Sequence, residues 1–178
     1  MAVEVVVDTN VLLVAEGKHP DVSEECVLAC VSRLQKIMQA EIVVVDDGYR
    51  VLGEYQNKLN SRVGKGVGTV FLKWLLQRQA NVNHVVQVNV TEYEKDRYVE
   101  FPAPELEANF DPPDRRFPAI SNAHPAKPEI LQAADCKWLR WWPELQEAGI
   151  CVRFLCPDDI CGFYRRKFPT ENVPALPK

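Results

Sequence analysis

The amino-acid sequence predicts an α/β fold of three α/β/α layers, with helices on both faces of a central, mostly parallel sheet. Short runs rich in β-branched residues recur along the chain, as expected for strands that are buried on both faces. Amphipathic segments of helical period separate these runs, and such alternation favours parallel strands. A chain of 178 residues, 47% of them hydrophobic, also has the size and composition of one domain.

The first half of the chain alternates strands and helices in this interpretation. "VEVVV" is a strand that stops at Asp8, and Ser23 or Asp21 caps a helix that ends near Gln39. "EIVVVDD" is the second strand, and its two aspartates are expected to cap the helix "GYRVLGEYQNKLN". "SRVGKGVGTVFLKWLLQRQ" is a glycine-rich turn followed by another amphipathic helix. Its run "GKGVGT" lacks the GxxxxGK[ST] spacing of a phosphate-binding loop.

The second half begins with a third strand, "HVVQVNV", and a long irregular passage through "EFPAPELEANFDPPD". "RRFPAISNAH" is predicted to be helical, and "EILQAAD" is a short strand that ends on Asp135. "KWLRWWPELQEAG" is a helix that stops at Gly149, with its tryptophans in the core or in a dimer contact. "ICVRFLCPDDI" is the last strand. We therefore expect one domain over residues 1–165 and a loosely ordered tail over residues 166–178.

Composition bounds the compartment and the chemistry of the cysteines. The chain shows neither an export signal nor an apolar run of the roughly 18 residues that a membrane span needs, so a cytoplasmic protein without a membrane partner is expected. Its six cysteines are then expected to be reduced packing residues rather than disulfides. Cys26 and Cys30 would share one helix face in the core. No CxxC pair is present, so a structural zinc site is not expected.

Acidic and basic residues are segregated along the chain, although the net charge is only −4. No Asp or Glu occurs from Tyr55 to Thr91, where the basic residues are Lys58, Arg62, Lys65, Lys73 and Arg78. One interpretation is an ordinary solvated helix surface. The other is a surface that binds the backbone of a polyanion.

Two aspartates, Asp8 and Asp135, are each expected at the end of a strand, and parallel strands end at the same edge of a sheet. The alternative is that Asp8 or Asn10 simply caps the helix that follows the first strand. Glu54 and Asp114 lie on neighbouring helices that can reach the same edge. Clustered carboxylates repel one another unless a cation lies between them, and oxygen ligands without His or Cys favour Mg²⁺ or Mn²⁺.

Four segments in order resemble the PIN domain, a small α/β nuclease fold. "VVVDTNVLL" resembles its first strand, and "VVVDDGYRVLGEYQNKL" resembles the second strand and the helix that bears its glutamate. "DPPDRRFPAISNAH" and "AADCKWL" resemble the segments with its third and fourth acids. The chain differs at Ala133, where many members have Thr or Ser, and at Pro118, where a bulky aliphatic residue is commoner.

The resemblance implies a set of functional residues. It places catalytic, metal-binding carboxylates at Asp8, Glu54, Asp114 and Asp135, with Asp111 as an auxiliary ligand and Asn10 as a hydrogen-bonding residue behind them. We expect RNA contacts from the basic residues nearest this site, which are Lys58, Arg62, Lys65, Arg115 and Arg116. Arg115 and Arg116 could instead only neutralise the acids around Asp111 and Asp114.

The function implied by the resemblance is hydrolysis of RNA phosphodiesters by a Mg²⁺- or Mn²⁺-dependent endoribonuclease. Such a protein could be the toxin of a toxin–antitoxin pair, with an antitoxin protein or a second copy of the chain as partner. The alternative is a PIN-like scaffold that binds RNA or a protein without cutting. The net negative charge, Ala133 and Pro118 favour this alternative, whereas the retained acids oppose it.

Overall fold

The computed structural model describes residues 1–178 and confirms the predicted α/β class. Its strands are β1 (Val3–Val7), β2 (Glu41–Asp46), β3 (Val85–Val88), β4 (Glu92–Glu94), β5 (Arg97–Tyr98), β6 (Glu129–Gln132) and β7 (Val152–Phe154). Five of them form one parallel sheet in the order β3-β2-β1-β6-β7, and β4 and β5 form a separate antiparallel pair. Helices flank this sheet, as in a three-layer α/β/α fold.

The helices alternate with the strands as predicted, except that a short one, Pro104–Glu107, lies in the passage predicted to be irregular. They are α1 (Thr9–Ala15), α2 (Glu24–Ala40), α3 (Arg50–Lys58), α4 (Val67–Arg78), α5 (Pro104–Glu107), α6 (Arg116–Ala123), α7 (Trp138–Glu147) and α8 (Pro157–Lys167). Helices α1, α2 and α4 pack against one another, and α6 packs across β1, β2 and β6. None of these helices combines the length and the apolar character that crossing a bilayer requires.

Strand β1 lies at the centre of the sheet and is buried on both faces, since Val5, Val6 and Val7 are at most 1% exposed. Its neighbours are β2 on one side, with Val3 opposite Glu41, and β6 on the other. The strand order therefore reverses between β1 and β6. In open parallel sheets the crevice at such a reversal, outside the carboxyl ends of the strands, is where ligands bind.

Helices α1 and α4 approach closely because a glycine lies between them. A Cβ atom at Gly68 would lie only 2.3 Å from the main-chain oxygen of Leu12. The Glu16 carboxylate accepts hydrogen bonds from the N–H groups of Gly66 (3.2 Å) and Thr69 (2.7 Å). An internal carboxylate thus occupies the anion-binding end of α4, and the "GKGVGT" run serves helix packing rather than phosphate binding.

Two parts of the chain differ from the sequence prediction. The passage before α5 contains the β4–β5 hairpin, which is too short to give a clear period of two. The last predicted strand stops at Phe154, and α8 follows from Pro157. The predicted tail boundary at residue 166 therefore falls inside a helix. Residues after α8 have no regular structure, but Trp142 donates a hydrogen bond to Ala175 O (3.0 Å), which ties them to the domain.

The cysteines also differ from the prediction, because Cys26 and Cys156 form a disulfide. They are 130 residues apart in sequence. Their pairing depends on α2 and the start of α8 meeting in space, and no local pattern reports that contact. Cys30 is a buried free thiol, as expected for a packing residue. The tryptophans of α7 are where the sequence predicted: Trp138 and Trp141 pack in the core around Phe110.

Candidate functional site

Asp8 follows the last residue of β1 and lies at the edge of the strand-order reversal. Its N–H continues the ladder to β6 by donating to Leu131 O at 3.0 Å, so its position is fixed by the sheet. Its Oδ1 atom accepts the N–H of Asn10 at 2.7 Å and caps α1. The side chain is buried, however, and its Oδ2 atom has no hydrogen-bond partner. Capping therefore explains one carboxylate oxygen and leaves the other free.

The charges of three other acids act on Asp8. Burial first, and then the charge of Asp114, raise the pKa of Asp8 well above its usual range, with smaller contributions from Asp135 and Glu54. The N–H of Asn10 opposes this rise. All four predicted acids are thus close enough to interact, although they come from parts of the chain more than 120 residues apart.

Asp114 lies in a single 3₁₀ turn, Pro112–Arg115, directly before α6. Burial, followed by the charges of Asp135, Asp111 and Glu54, raises its pKa to about 8, while Lys137 opposes the rise. Pro118 occupies the first turn of α6, where its missing N–H is tolerated. The helix start that presents Asp114 is therefore compatible with this proline.

Asp135 lies at the same edge but three residues beyond β6, which ends at Gln132 and not at Asp135 as predicted. Two side chains hold this loop: Asn10 Oδ1 accepts the N–H of Ala134 at 2.7 Å, and Gln132 Oε1 accepts the N–H of Asp135 at 3.2 Å. The N–H of Lys137 donates to Asp135 Oδ1 at 3.1 Å. Burial raises the pKa of Asp135, and that hydrogen bond and nearby lysines limit the rise. Asn10 and Gln132 therefore position the acid without a hydroxyl at residue 133.

Glu54 projects from the second turn of α3 towards Asp8. Its Oε1 accepts the hydroxyl of Thr9 at 2.7 Å, and its Oε2 lies 2.8 Å from Arg116 Nη1. Arg116 also donates to Arg50 O at 3.2 Å and lies 3.5 Å from an oxygen of Asp96. The sequence analysis considered two roles for Arg116, contact with RNA and neutralisation of nearby acids. These contacts fit neutralisation, and the acids concerned are Glu54 and Asp96.

Asp111 is paired with a lysine that the sequence analysis did not single out. Lys137 Nζ forms an ion pair with Asp111 Oδ2, and this contact raises the pKa of Lys137. The positive charge of Lys137 also opposes the rise in the pKa values of Asp114 and Asp135. Its position two residues after Asp135 is the sequence feature that could have indicated it, because that position keeps the lysine close to one of the predicted acids.

The acids supply only oxygen ligands, which suits Mg²⁺ or Mn²⁺. Among these acids, the Oδ2 atom of Asp8 is the buried oxygen that lacks a hydrogen-bond partner, and a cation could supply one. No three acids bring an oxygen each to within 4.8 Å of one another. This spacing fits Mg²⁺ bound as it commonly is, through one or two carboxylates with water in the remaining positions.

The predicted RNA-contacting residues fall into two groups. Arg115 is buried, 7% exposed, and donates to Phe110 O (3.0 Å) and Asp96 O (3.4 Å), so the structure does not bring it to the mouth of the site. Lys58, Arg62 and Lys65 are exposed and form no ion pair. Lys58 and Arg62 line a groove together with Lys18. This groove begins one turn of α3 beyond Glu54.

A second cleft adjoins Asp135 and contains residues that the sequence analysis missed. His19, Asp21 and Lys167 line it together with Asn10 and Asp135. The ring of His19 stacks on Phe163 with 5.6 Å between centroids, which fixes its orientation, and its Nδ1 atom is buried without a partner. His19 and Lys167 are separated by most of the chain, so only the fold could show that they share a cleft.

Comparisons of the chain with protein-family models, curated proteins and solved structures found no match. The residues at the carboxyl edge of the sheet therefore carry the chemical information about the site. They form a class of site that is well defined chemically: several partly or wholly buried acids at a strand-order reversal, beside an unpaired basic groove.

Proposed function

We propose that this protein is a metal-dependent endoribonuclease of the PIN-domain type. The observation that carries the proposal is the carboxylate of Asp8, whose Oδ2 atom is buried without a partner while three other acids act on it. A folded chain gains nothing from such an arrangement on its own, since burial and repulsion both oppose the charges. A bound divalent cation reverses both effects.

In this proposal Mg²⁺ or Mn²⁺ would be held by Asp8, Glu54, Asp114 and Asp135, with one or two of them bound directly and the others through its waters, and with Asp111 as an auxiliary residue. When bound, the ion would supply a Lewis acid for the scissile phosphate and lower the pKa of a water. Asn10 and Gln132 position Asp135, and Thr9 positions Glu54 through their hydrogen bonds. These contacts fix the carboxylates before substrate binds, as a preorganised site requires.

The basic groove is the proposed path of the substrate backbone. Lys58 and Arg62 face solvent there without acidic partners, so their charges are available to phosphates. Because the net charge is −4, binding would depend on this local groove rather than on a general attraction. RNA as the substrate comes from the family resemblance, and the same chemistry would serve DNA.

The test is cleavage of a labelled single-stranded RNA, and of a DNA of the same sequence, in EDTA and after addition of Mg²⁺ or Mn²⁺. The expected result is cleavage of RNA that EDTA abolishes and that Asp8→Asn and Asp114→Asn both eliminate. Asp46→Asn is the matched control, because Asp46 is as buried as Asp8 and is the last residue of β2, the strand beside β1. Its two oxygens instead accept the N–H groups of Arg50 and Val51, both at 2.9 Å.

A scaffold that binds RNA or protein without cutting is the second candidate, and specific contacts favour it. Arg116 already lies against Glu54, and Lys137 lies against Asp111, so two of the acids have internal cations. In a scaffold these side chains would take the place of a metal. Parent protein that binds RNA but leaves it intact at every Mg²⁺ and Mn²⁺ concentration would select this candidate.

A toxin role would add a partner protein that covers the site. We expect induced expression of the parent chain in a bacterial host to slow growth, because an uncontrolled endoribonuclease degrades essential RNA. The Asp8→Asn variant should grow normally at equal expression, and Asp46→Asn should behave like the parent. Equal growth of parent and Asp8→Asn cells would remove the toxin role while leaving the nuclease itself to the cleavage assay.

A further inference from the structure

Three cysteine sulfurs meet in the core, two of them from helix α2 and one from the residue before α8. The Sγ atoms of Cys26, Cys30 and Cys156 all lie within 4.8 Å of one another, and all three residues are buried. Cys26 and Cys156 form the disulfide, and Cys30 Sγ lies 3.9 Å from Cys156 Sγ. A disulfide needs only two sulfurs, so the third requires its own explanation.

We propose that, after reduction of the disulfide, Cys26, Cys30 and Cys156 bind one zinc-like divalent cation. A tetrahedral site with Zn–S bonds of about 2.3 Å places its sulfurs about 3.8 Å apart. The separation of Cys30 and Cys156, 3.9 Å, already matches that edge. Cys26 is one turn from Cys30 on α2, so the same helix presents two ligands in fixed register.

The surroundings of the cluster favour a cation bound by thiolates. Cys26 lies in the first turn of α2 and Cys156 is the residue before α8, so both sulfurs are at helix N-termini, which stabilise negative sulfur. The first turns of the same helices carry Glu25, Asp158 and Asp159. Thiolates among these acids would repel them unless a cation is bound.

An entry path to the cluster is present. A cleft leads to the disulfide and is lined by Ser23, Glu25, Cys26, Cys156, Asp158 and Asp159. The Asp159 carboxylate is occupied, because it accepts both the N–H (2.6 Å) and the hydroxyl (2.7 Å) of Ser23. Water from the cleft is therefore assigned to the fourth position of the cation.

The rival explanation is that Cys30 exchanges into the disulfide. Exchange requires a thiolate that attacks sulfur. Cys30 is fully buried, so its thiolate would have to form without the water that stabilises a charge. A divalent cation can displace the thiol proton, because it brings the positive charge that this environment lacks.

Loading the cation requires reduction of the disulfide and then release of the thiol protons. A phosphine such as tris(2-carboxyethyl)phosphine gives two electrons to the disulfide and becomes a phosphine oxide, and one water supplies the oxygen and the two protons of the new thiols. Three thiol protons then pass to the buffer as three sulfur–metal bonds form. Oxidation to the disulfide removes two ligands at once, so the oxidised chain should not hold the ion.

The test uses Co²⁺ as the probe, added to the folded chain after phosphine reduction and removal of metal. Reduced parent protein and Cys151→Ser, the control at an exposed cysteine outside the cluster, should bind one Co²⁺ per chain with thiolate-to-cobalt charge-transfer absorption, and Zn²⁺ should displace it. Loss of an outer-shell contact alone weakens metal binding by about 10–100-fold. Cys30→Ser loses a ligand, so it should weaken Co²⁺ binding by more than this.

Oxidised parent protein provides a test that needs no substitution, and it should show none of this absorption. The proposal is overturned by the absence of charge-transfer bands in the reduced parent, or by equal binding in its oxidised form. Circular dichroism confirms that Cys30→Ser is folded; if it is not, the comparison of reduced and oxidised parent decides. Ions at the acidic site give no thiolate bands, so this outcome is independent of the proposed nuclease.

Discussion

Replacing Asp8 by Asn separates a capping aspartate from a member of a repelling carboxylate cluster. Asn keeps an oxygen in the position that accepts the N–H of Asn10 at 2.7 Å, and Asn caps helices about as well as Asp. A simple cap would therefore make the substitution nearly silent. If Asp8 belongs to the cluster, the same change removes a buried ionisable group, whose pKa burial and Asp114 raise.

The magnitude follows from the burial of Asp8. Holding a carboxyl neutral while the unfolded chain ionises it costs about 1.4 kcal/mol for each pH unit above its ordinary pKa, or up to about 4 kcal/mol at pH 7. The new amide leaves a buried N–H group in place of Oδ2, which costs about 1–3 kcal/mol if it finds no partner. The net gain is at most about 1–3 kcal/mol, equivalent to a Tm rise of at most roughly 2–12 °C for a chain of this size.

The assay is thermal unfolding of parent, Asp8→Asn and Asp46→Asn in EDTA and in Mn²⁺. We expect Asp8→Asn to melt at or above the parent in EDTA and to gain little from Mn²⁺. Asp46→Asn should melt lower, by about 1 kcal/mol in stability, because Asp46 caps α3 with both oxygens, and should keep the response to Mn²⁺. An Asp8→Asn protein that melts clearly below the parent and still responds fully to Mn²⁺ would refute the reasoning.

Three further predictions concern pH, substrate and internal cations. Folding raises the pKa of Asp114 from an ordinary 3.8 to about 8, so the folded chain binds more protons between these values. The metal-free protein should thus lose stability as pH rises from about 4 to about 8, by up to about 1.4 kcal/mol per pH unit for this group. Urea unfolding in EDTA should show a weaker dependence of the unfolding free energy on pH in Asp114→Asn than in the parent. Replacing Lys58, Arg62 and Lys65 together by Ala should reduce the salt slope of RNA binding by about 2 in filter-binding assays, since each phosphate contact contributes about 0.7 on a single strand; an unchanged slope assigns them to ordinary surface. Arg116→Ala should destabilise the metal-free chain by about 3 kcal/mol, because it leaves Glu54 without its cation among other acids. In thermal unfolding, Mn²⁺ should stabilise this variant more than it stabilises the parent. Equal stabilisation of the two proteins by Mn²⁺ would contradict a shared site.

Local sequence patterns predicted the strands and helices that have a clear period or a cap. Strand β2 and helix α2 fall within a residue or two of their predicted limits, because buried valines mark the first and Ser23 caps the second. The β4–β5 hairpin has strands of three and two residues, too short for a period to show. Only two residues separate the end of β7 from the start of helix α8, and the predicted strand "ICVRFLCPDDI" extends into the first turn of that helix.

The partners of the acids were harder to predict, because they come from distant segments. Lys137 pairs with Asp111 across 26 residues, Arg116 reaches Glu54 across 62, and the disulfide joins residues 130 apart. None of these contacts has a periodic signal in one sequence. The fold therefore decides which acids have an internal cation. The positions of Asp8 and Asp135 near strand ends, in contrast, could be predicted from local pattern.

Asp8 and Asp46 show why strand-end aspartates are ambiguous in sequence. Both are buried after a valine run and both cap the next helix, and in each case the capping N–H belongs to a residue two to five positions later. The difference lies in the second oxygen. That of Asp46 accepts a second N–H from its own helix, whereas that of Asp8 faces acids from the α6 and β6 segments and has no donor. Capping and the proposed cation binding are thus not competing roles for Asp8: the cap uses one oxygen and leaves the other without a hydrogen-bond partner.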